Sequence, residues 1–289
     1  MLKKLRRQLD LAYRYYINPC YYNGPVRQAD FPQHFIEVDM EAYVEEIKSF
    51  ESFQVDILTT IPYSGHDLPI LQADFGGIAD KKKHRMLILA GVHGNETGAT
   101  LAIPKIMAEM EQNHNYYKDW AINIVTPVNP VGTMMQSRYN ENGCDLNRKM
   151  KSSQEKGIII QSQVIDELKP NLILTLHEAP SKGFLIHPDP FSSDHFHNEI
   201  LSAIEKEGIE LATTDYFGKK MKVKGNAIIS PFMRFLGSLI GVESLEQLVE
   251  SRKISVITTE SGWNSTDLFQ RIDSHVLLFK AVIKYFENK

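Results

Sequence analysis

The chain alternates short apolar runs with longer segments in which apolar residues recur at helical spacing. The apolar runs have the length of buried strands and lie at residues 86–90, 121–128, 172–176 and 254–259. The helical pattern occupies residues 99–110, 158–168, 196–204 and 268–286. Pro104 falls inside the first of these helices, so that helix is expected to start late or to be kinked. The alternation predicts an α/β fold in which an open, mostly parallel sheet carries helices on both faces.

The N-terminal part of the chain adds a helical extension and a hairpin to this pattern. Residues 1–50 are predicted to form a helical extension packed on the domain, with one helix at residues 41–50. Residues 53–61 and 68–75 have the pattern of two strands joined by a turn. We therefore expect one large catalytic domain, residues 51–289, because no linker clearly divides the chain.

Composition is that of an ordinary globular protein and excludes several classes of partner. The 289 residues are 43% hydrophobic and 24% charged, with a formal net charge of −4, so no basic field indicates nucleic-acid binding. No stretch approaches the ~20 apolar residues needed to span a bilayer. Residues 2–16 are basic but lack the apolar run of a secretory signal, which predicts a surface helix and a cytoplasmic protein. Cys20 and Cys144 make no disulfide framework and fit a reducing compartment.

Polar residues with catalytic potential cluster directly after the apolar runs. They are His93, Glu96, His177, Glu178 and Glu260. In open parallel sheets, ligands bind beyond the carboxyl ends of the strands. These side chains are therefore expected to meet at one edge of the sheet.

His93, Glu96 and His177 form a His2Glu set, which is a known ligand set for catalytic zinc. Three protein ligands leave a fourth position for water, and zinc lowers the pKa of that water to about 7. Taken singly, these residues have other interpretations. His93 and Glu96 could be polar residues of a turn, one of them capping the following helix, and His177 could be a hydrogen-bonded core histidine.

A zinc hydrolase also needs a carboxylate that takes a proton from water and hands it to the leaving group. Glu260 is the predicted base, although taken alone it could cap a helix. Glu178 is the competing candidate because it adjoins His177. Neighbouring side chains on a strand point to opposite faces, so Glu178 is expected to face away if His177 faces the metal.

The loop at residues 129–150 lies between the two ligand segments and is rich in Asn and Gly. It carries Arg138, Asn147 and Arg148. An arginine pair with an amide could hold an anionic substrate end and stabilise an oxyanion. The alternative is a solvated, turn-rich loop with surface charges.

Together, these motifs resemble those of the zinc carboxypeptidase superfamily, over about residues 50–286. The motifs that carry the resemblance are His93-Gly94-Asn95-Glu96, Asn129-Pro130-x-Gly132, Arg138-x-Asn140-x-x-Gly143-x-Asp145-Leu146-Asn147-Arg148, and His177 and Glu260 at strand ends. The segment from Tyr63 to Ile70 also resembles the hairpin that opens the catalytic domain of that family.

The resemblance implies a three-layer α/β/α sandwich around a mixed, mostly parallel sheet of about eight strands, with one Zn2+ per chain. By the same resemblance, His93, Glu96 and His177 are the metal ligands and Glu260 is the general base. Arg138 polarises the scissile carbonyl, and Asn147 with Arg148 holds the terminal carboxylate of the substrate.

Some features depart from the family pattern or lie outside it. Val131 stands where an aspartate is usual, and no tyrosine lies between Tyr216 and Glu260 to assist the leaving group as in digestive-type members. Residues 217–241 are predicted to wall the specificity pocket, and their lysines either suit an acidic substrate or form a solvated face. His195 and His197 are not expected to form a second metal site, because their rings point apart at a helix start.

The sequence therefore predicts a zinc hydrolase that acts on a small substrate with a free carboxylate. The first hypothesis is a metallocarboxypeptidase, including those that trim cell-wall-type peptides. The alternative is an N-acyl amino acid amidohydrolase, which resembles succinylglutamate desuccinylase and aspartoacylase. A binding module that has lost turnover is disfavoured, because no expected ligand or base is missing. The oligomeric state stays open.

Overall fold

A computed structural model describes residues 6, 9–10, 13–26, 36–77, 83–148, 150, 153–188, 191, 193–215, 218, 220–229, 239, 243–263 and 267–288. Much of the predicted helix at residues 2–16 lies outside the described residues. So do Tyr216 and much of the predicted pocket wall at residues 217–241. The described part of the chain forms one mixed sheet with helices on both faces, as the alternating pattern predicts.

Seven strands form this sheet within the described residues. They are β1 (Gln54–Tyr63), β2 (His66–Phe75), β3 (His84–Leu89), β4 (Trp120–Thr126), β5 (Leu172–Ala179), β6 (Leu185–Pro188) and β7 (Ser255–Gly262). Their spatial order is β1-β2-β4-β3-β5-β7-β6. The four central strands are parallel, whereas β1, β2 and β6 make antiparallel pairs at the two sides. The carboxyl ends of β3, β4, β5 and β7 therefore share one edge.

The described residues contain seven of the roughly eight strands that the resemblance implied, and one of these seven was not predicted. Strand β6 has only four residues and includes Pro188. A strand this short shows no alternation that would separate it from a loop. Its pairing with β7 depends on contacts across the sheet, which the local sequence does not reveal.

Seven α-helices cover the sheet in the described residues. They are α1 (Met40–Lys48), α2 (Thr97–Gln112), α3 (Pro130–Met135), α4 (Lys156–Leu168), α5 (Asp194–Lys206), α6 (Leu245–Ser251) and α7 (Leu268–Glu287). Helices α1, α2, α5 and α7 pack into one core cluster, and α4 and α6 pack into a second. These clusters complete three layers. No helix in this part of the chain is both long and apolar enough to cross a membrane.

Helix α2 begins at Thr97 and continues through Pro104. The expectation of a late start is therefore wrong. Proline has no backbone N–H and cannot donate to the carbonyl of Thr100, four residues earlier. That carbonyl instead accepts a hydrogen bond from the hydroxyl of Tyr43 on α1, at 3.3 Å. A tertiary contact thus satisfies the group that Pro104 leaves open.

Two segments of the described N-terminal residues contact the rest of the protein. Helix α1 buries Met40, Tyr43 and Ile47 in the larger core cluster. Residues 13–26 begin with a short π-helix, Tyr13–Ile17, and then run beside the loop at residues 137–148.

Candidate metal centre

The structure brings His93, Glu96 and His177 together at the carboxyl edge of the sheet. Each offers one ligand atom, and these three atoms lie within 4.8 Å of one another. His93 and Glu96 belong to the turn between β3 and α2, which the bond from Glu96 N to His93 O closes at 3.1 Å. His177 comes from β5. All three side chains are buried.

The two imidazoles present the same atom, Nδ1, to the two oxygens of Glu96. His93 Nδ1 lies 2.8 Å from Glu96 Oε1, and His177 Nδ1 lies 2.7 Å from Glu96 Oε2. Glu96 is the N-cap residue of α2, yet its side chain makes no capping hydrogen bond. The capping interpretation of Glu96 is therefore excluded.

The remaining ring nitrogens are fixed by two residues that the sequence gave no role. His93 Nε2 donates to Asp145 Oδ1 at 3.0 Å, and His177 Nε2 lies 3.0 Å from Thr175 Oγ1. Such outer contacts orient metal-ligating imidazoles and set which nitrogen stays free. Thr175 precedes His177 by two positions on β5, so a polar residue on the same strand face is the signal that could have identified it.

The charges in this cluster favour the ionised forms of Glu96, His177 and Asp145, although all three side chains are buried. Burial raises the pKa of the Glu96 carboxyl, but the facing His93 and His177 outweigh it and bring that pKa below its usual range. Burial lowers the pKa of His177, but Glu96 and then Glu260 raise it to about 9. The pKa of Asp145 is also well below its usual range, because Arg138 and His93 outweigh burial.

Two glycines allow the turn with the ligands to pack against helix α3. A Cβ on Gly94 would lie 1.8 Å from the carbonyl carbon of Gly132. A Cβ on Gly132 would lie 2.2 Å from Asn129 Nδ2. Asn129 in turn caps α3, because its Oδ1 accepts from Gly132 N at 2.9 Å. The His-Gly-Asn-Glu and Asn-Pro-x-Gly motifs are thus two sides of one backbone contact.

Glu260 lies directly opposite His177 in the sheet. The two residues are paired in the parallel register of β5 and β7, so their side chains leave the same face. Glu260 is one of the charges that raise the pKa of His177. The structure therefore places the predicted base beside the predicted ligand set.

Glu178 lies on the opposite face of the sheet, as the strand alternation predicts. Its Oε2 accepts from Gly98 N at 2.8 Å, at the first turn of α2, and its Oε1 lies 3.1 Å from Arg271 Nη1. Ser261 also donates to it. Both Glu178 and Arg271 are buried. Glu178 thus connects both α2 and α7 to the sheet. Its side chain does not face His177.

Arg138, Asn147 and Arg148 lie in the loop beside the cluster. Arg138 donates from Nε to Asp145 Oδ2 at 2.7 Å, and its Nη1 lies 3.6 Å from Glu96 Oε1. Asn147 Oδ1 accepts from Leu245 N at 2.9 Å, which fixes α6 to this loop. Arg148 Nη1 donates to the carbonyl of Asn147 at 2.6 Å and is half-buried. The solvated-loop interpretation is therefore wrong for Arg138 and Asn147.

A disulfide joins the N-terminal segment to the same loop. Cys20 and Cys144 are bonded to each other across 124 residues. Beside them, Asp145 N donates to the carbonyl of Pro19 at 2.8 Å. The prediction that Cys20 and Cys144 make no disulfide is therefore wrong, and the two residues no longer support a reducing compartment. Their wide separation gave no sequence signal that they meet in space.

His195 and His197 do not come together at a metal position. His195 is exposed and lies 3.3 Å from Glu199 on the next turn of α5, whereas His197 is buried and its ring packs beside Phe196. This arrangement agrees with the expectation that the two rings point apart.

The comparison with protein families gives a partial match. Residues 82–184 match the sequence model of the succinylglutamate desuccinylase/aspartoacylase catalytic domain. This range contains all three candidate ligands and the loop with Arg138, Asn147 and Arg148. No curated protein sequence matches the chain significantly.

Solved structures show the fold. A protein from Shewanella amazonensis SB2B described as a metallopeptidase has a TM-score of 0.68 at 18% identity, with 86% of this chain and 93% of that chain covered. A metallo-carboxypeptidase from Burkholderia cenocepacia gives 0.67 at 13% identity, with 88% and 71% covered. Bovine thrombin-activatable fibrinolysis inhibitor, solved with tick carboxypeptidase inhibitor, gives 0.63 at 12% identity, with 88% and 98% covered.

The described residues therefore have the α/β fold of metallocarboxypeptidase-like structures. The predicted resemblance to the zinc carboxypeptidase-like superfamily is confirmed in the fold and in residues 82–184.

Proposed function

We propose that this protein is a zinc-dependent hydrolase that cleaves the amide bond next to a C-terminal, carboxylate-bearing residue of a peptide. The observation that carries the proposal is the pairing of His177 with Glu260 across β5 and β7. It places a candidate base beside a buried His2Glu donor set.

The donor set fits one zinc ion. Two imidazole nitrogens and one carboxylate are the ligand types of catalytic zinc sites that keep an open position. Asp145 and Thr175 hold the other ring nitrogens, so both Nδ1 atoms are directed into the cluster. When bound to His93, Glu96 and His177, zinc would supply a Lewis acid that lowers the pKa of a water molecule to about 7.

Glu260 moves the proton in the proposed reaction. Its carboxylate takes a proton from the attacking water and passes it to the amide nitrogen as the carbon–nitrogen bond breaks. The register of β5 and β7 keeps the Glu260 side chain on the same sheet face as His177, which supports its assignment to both transfers.

The loop residues orient the substrate. Arg138 keeps its charge at all working pH values and donates to the oxygen of the scissile carbonyl as negative charge develops. Asn147 and Arg148 hold the terminal carboxylate, for which a guanidinium fork is well suited. Asp145 positions Arg138 and Asn147, because its Oδ2 accepts a hydrogen bond from Arg138 Nε and its Oδ1 accepts one from Asn147 N.

A second candidate function is an N-acyl amino acid amidohydrolase. It is favoured by the match of residues 82–184 to the succinylglutamate desuccinylase/aspartoacylase domain. The peptidase is favoured by the spacing of the 138–148 motif. The metallo-carboxypeptidase of Pseudomonas aeruginosa, a structural neighbour with TM-score 0.57, was solved with (2-guanidinoethylmercapto)succinic acid, a carboxylate-bearing ligand. Both candidates need a free carboxylate beside the cleaved amide.

Metal analysis and a substrate panel test these proposals. Freshly prepared protein should contain one zinc per chain. It should release the C-terminal residue from short peptides, including cell-wall-type peptides, faster than it cleaves N-succinyl and N-acetyl amino acids. Turnover of acyl amino acids alone would replace the peptidase with the amidohydrolase. The absence of both zinc and turnover would contradict both.

The disulfide bears on the predicted cytoplasmic location. Structural disulfides form and persist in oxidising compartments. Alkylation of free thiols in intact cells tests whether Cys20 and Cys144 are reduced there. Alkylated Cys20 and Cys144 would support the cytoplasm, and an intact Cys20–Cys144 bond would argue for an oxidising compartment.

A further inference from the structure

Four large apolar side chains of the N-terminal segment are exposed. Leu9, Tyr13, Ile17 and Tyr21 have 62%, 43%, 61% and 42% of their surface open to solvent. They recur at intervals of four residues, the spacing that places side chains on one face of a helix. The rings of Tyr13 and Tyr21 are in edge contact, with centroids 6.0 Å apart. We call these four side chains the N-terminal apolar surface.

Arg14 fixes which side of this segment faces the rest of the protein. Arg14 is buried, and its guanidinium donates to the hydroxyl of Tyr22 and lies 2.7 Å from the carboxylate of Asp10. The ring of Tyr22 packs against Tyr139 in the loop at residues 137–148, with centroids 4.8 Å apart. The ion pair between residues 10 and 14 has helical spacing. The side of the segment that carries Arg14 is therefore turned inward, and the N-terminal apolar surface is turned outward.

The far end of the segment is attached to the body of the protein. Cys20 is bonded to Cys144, and the carbonyl of Pro19 accepts from Asp145 N at 2.8 Å. Chain termini are poorly ordered unless contacts of this kind tie them down. The N-terminal apolar surface thus belongs to a segment with a defined position beside the loop at residues 137–148.

The same segment is basic, whereas the rest of the protein is acidic. Residues 1–17 contain five Lys and Arg residues and one Asp, a net charge of +4. The whole chain has a net charge of −4, so residues 18–289 carry −8. Four of the five basic residues precede Leu9, and Arg6, the one of these four that the structure describes, is exposed. A partner of this segment must therefore suit both positive charge and apolar side chains.

An anionic lipid surface matches both properties. Helices at such a surface bury an apolar face at the boundary between headgroups and acyl chains, while Lys and Arg are attracted to anionic headgroups. Tyrosine suits this boundary, because its ring is apolar and its hydroxyl is polar. A second copy of the segment is a poorer match, because two segments of net charge +4 repel each other.

We propose that the N-terminal apolar surface docks this protein reversibly on an anionic lipid membrane. The Cys20–Cys144 bond joins the docking segment to the loop at residues 137–148, so docking would bring that loop close to the headgroups. The proposal does not depend on the proposed hydrolase activity, because it concerns a different surface of the protein.

Co-sedimentation of the full-length protein with lipid vesicles tests the proposal. One set of vesicles contains only phosphatidylcholine, and the other contains about 30% phosphatidylglycerol, which is anionic. The protein should bind the anionic vesicles about tenfold or more tighter than the neutral ones at low salt. About 0.5 M salt should weaken this binding, because it screens the charges. Equal binding to both vesicles, or binding to neither, would overturn the proposal.

The variant L9Q/I17Q tests the apolar part of the surface. It removes two exposed side chains without changing the charge, and it should bind anionic vesicles about tenfold or more weakly than the wild type. I57Q/F269Q is the matched control, because Ile57 and Phe269 are also exposed but lie on β1 and α7. The control should bind as the wild type does. Undiminished binding of L9Q/I17Q would contradict the proposal, and if this variant does not fold, the comparison of the two vesicles still decides.

Two further measurements separate a membrane from other occupants. Hydrogen exchange of residues 9–21 should slow when anionic vesicles are added, whereas exchange in the β1–β2 hairpin should not change. Sedimentation without lipid measures self-association. A dimer that L9Q/I17Q abolishes, together with no binding to vesicles, would assign the surface to a second copy and reject the membrane.

Discussion

His177 and Glu260 are cross-strand neighbours in the parallel register of β5 and β7. The backbone hydrogen bonds of the sheet therefore set the separation between a candidate metal ligand and the candidate base. A loop is not needed to bring these two side chains together.

Replacing Glu260 with Gln should abolish most of the activity and leave the metal in place. The amide cannot take a proton from water, and loss of a general base typically costs about 10²–10⁴-fold in rate. The measurement is kcat on the best substrate of the panel, with zinc content determined on the same sample. A rate near that of the wild type would move the base to another residue.

Replacing Glu178 with Gln should affect stability rather than chemistry. Glu178 and Arg271 are buried and 3.1 Å apart, so the variant leaves a buried guanidinium without its carboxylate. Breaking a buried pair from one side costs about 3–5 kcal/mol. Urea unfolding should show this loss, whereas kcat of the folded fraction should stay within a few-fold of the wild type. A large loss of kcat in stable E178Q protein would contradict the assignment.

Replacing Asp145 with Asn should weaken zinc binding. Asp145 accepts from His93 Nε2 and from Arg138 Nε, and loss of such an outer-shell partner typically costs about 10–100-fold in metal affinity. Competition with a chelator of known affinity measures the effect. Asp67→Asn at the exposed start of β2 is the control and should bind zinc as the wild type does. Equal affinity in both variants would show that Asp145 does not support His93.

Reduction of the Cys20–Cys144 bond should loosen the loop at residues 137–148. The bond closes a long segment of chain, and removal of such a disulfide typically costs about 2–5 kcal/mol of stability. Hydrogen exchange should become faster in this loop while β3 and β5 stay protected. The double variant C20S/C144S should behave like the reduced protein. Identical exchange in the oxidised and reduced proteins would show that the loop is held by its hydrogen bonds alone.

Stability should fall in mild acid because of His275. This histidine is fully buried, its Nδ1 lies 3.0 Å from Thr259 Oγ1, and burial lowers its pKa to about 3. The unfolded chain, with a histidine pKa of about 6.5, binds a proton first as pH falls. The stabilisation is therefore complete above pH 6.5 and is lost progressively toward pH 3. A single such group lowers the free energy of unfolding by about 2 kcal/mol between pH 7.5 and pH 5.

Urea unfolding at both pH values checks this effect. His275→Gln should show a smaller loss of stability between pH 7.5 and pH 5 than the wild type. His195→Gln at an exposed position should show the same loss as the wild type. An unchanged pH dependence in the His275 variant would mean that other groups cause the acid sensitivity.

The sequence predicted the features that depend on local pattern. Helical spacing located α7. The positions of His93, His177 and Glu260 after apolar runs predicted that they meet, because parallel strands end at one edge. Strand alternation also placed Glu178 on the far face.

Such local patterns do not reveal contacts between segments that are distant in the sequence. The Cys20–Cys144 bond and the hydrogen bond from Thr258 to Glu246 each join parts of the chain that share no periodicity. Asp145 was visible within a motif, but its bond to His93 requires the loop and the β3–α2 turn to pack together. In each case the tertiary fold, rather than local preference, creates the contact.

The hydrogen bond between Pro19 and Asp145 also limits where the polypeptide can be shortened. A version starting at the β1 hairpin would keep His93, His177 and Glu260 on their strands. It would nevertheless remove the carbonyl that binds Asp145 N and the Val26 backbone that binds Ser137 Oγ. Affinity tags and protease sites are therefore best placed before residue 13, because the segment that follows packs against the loop at residues 137–148.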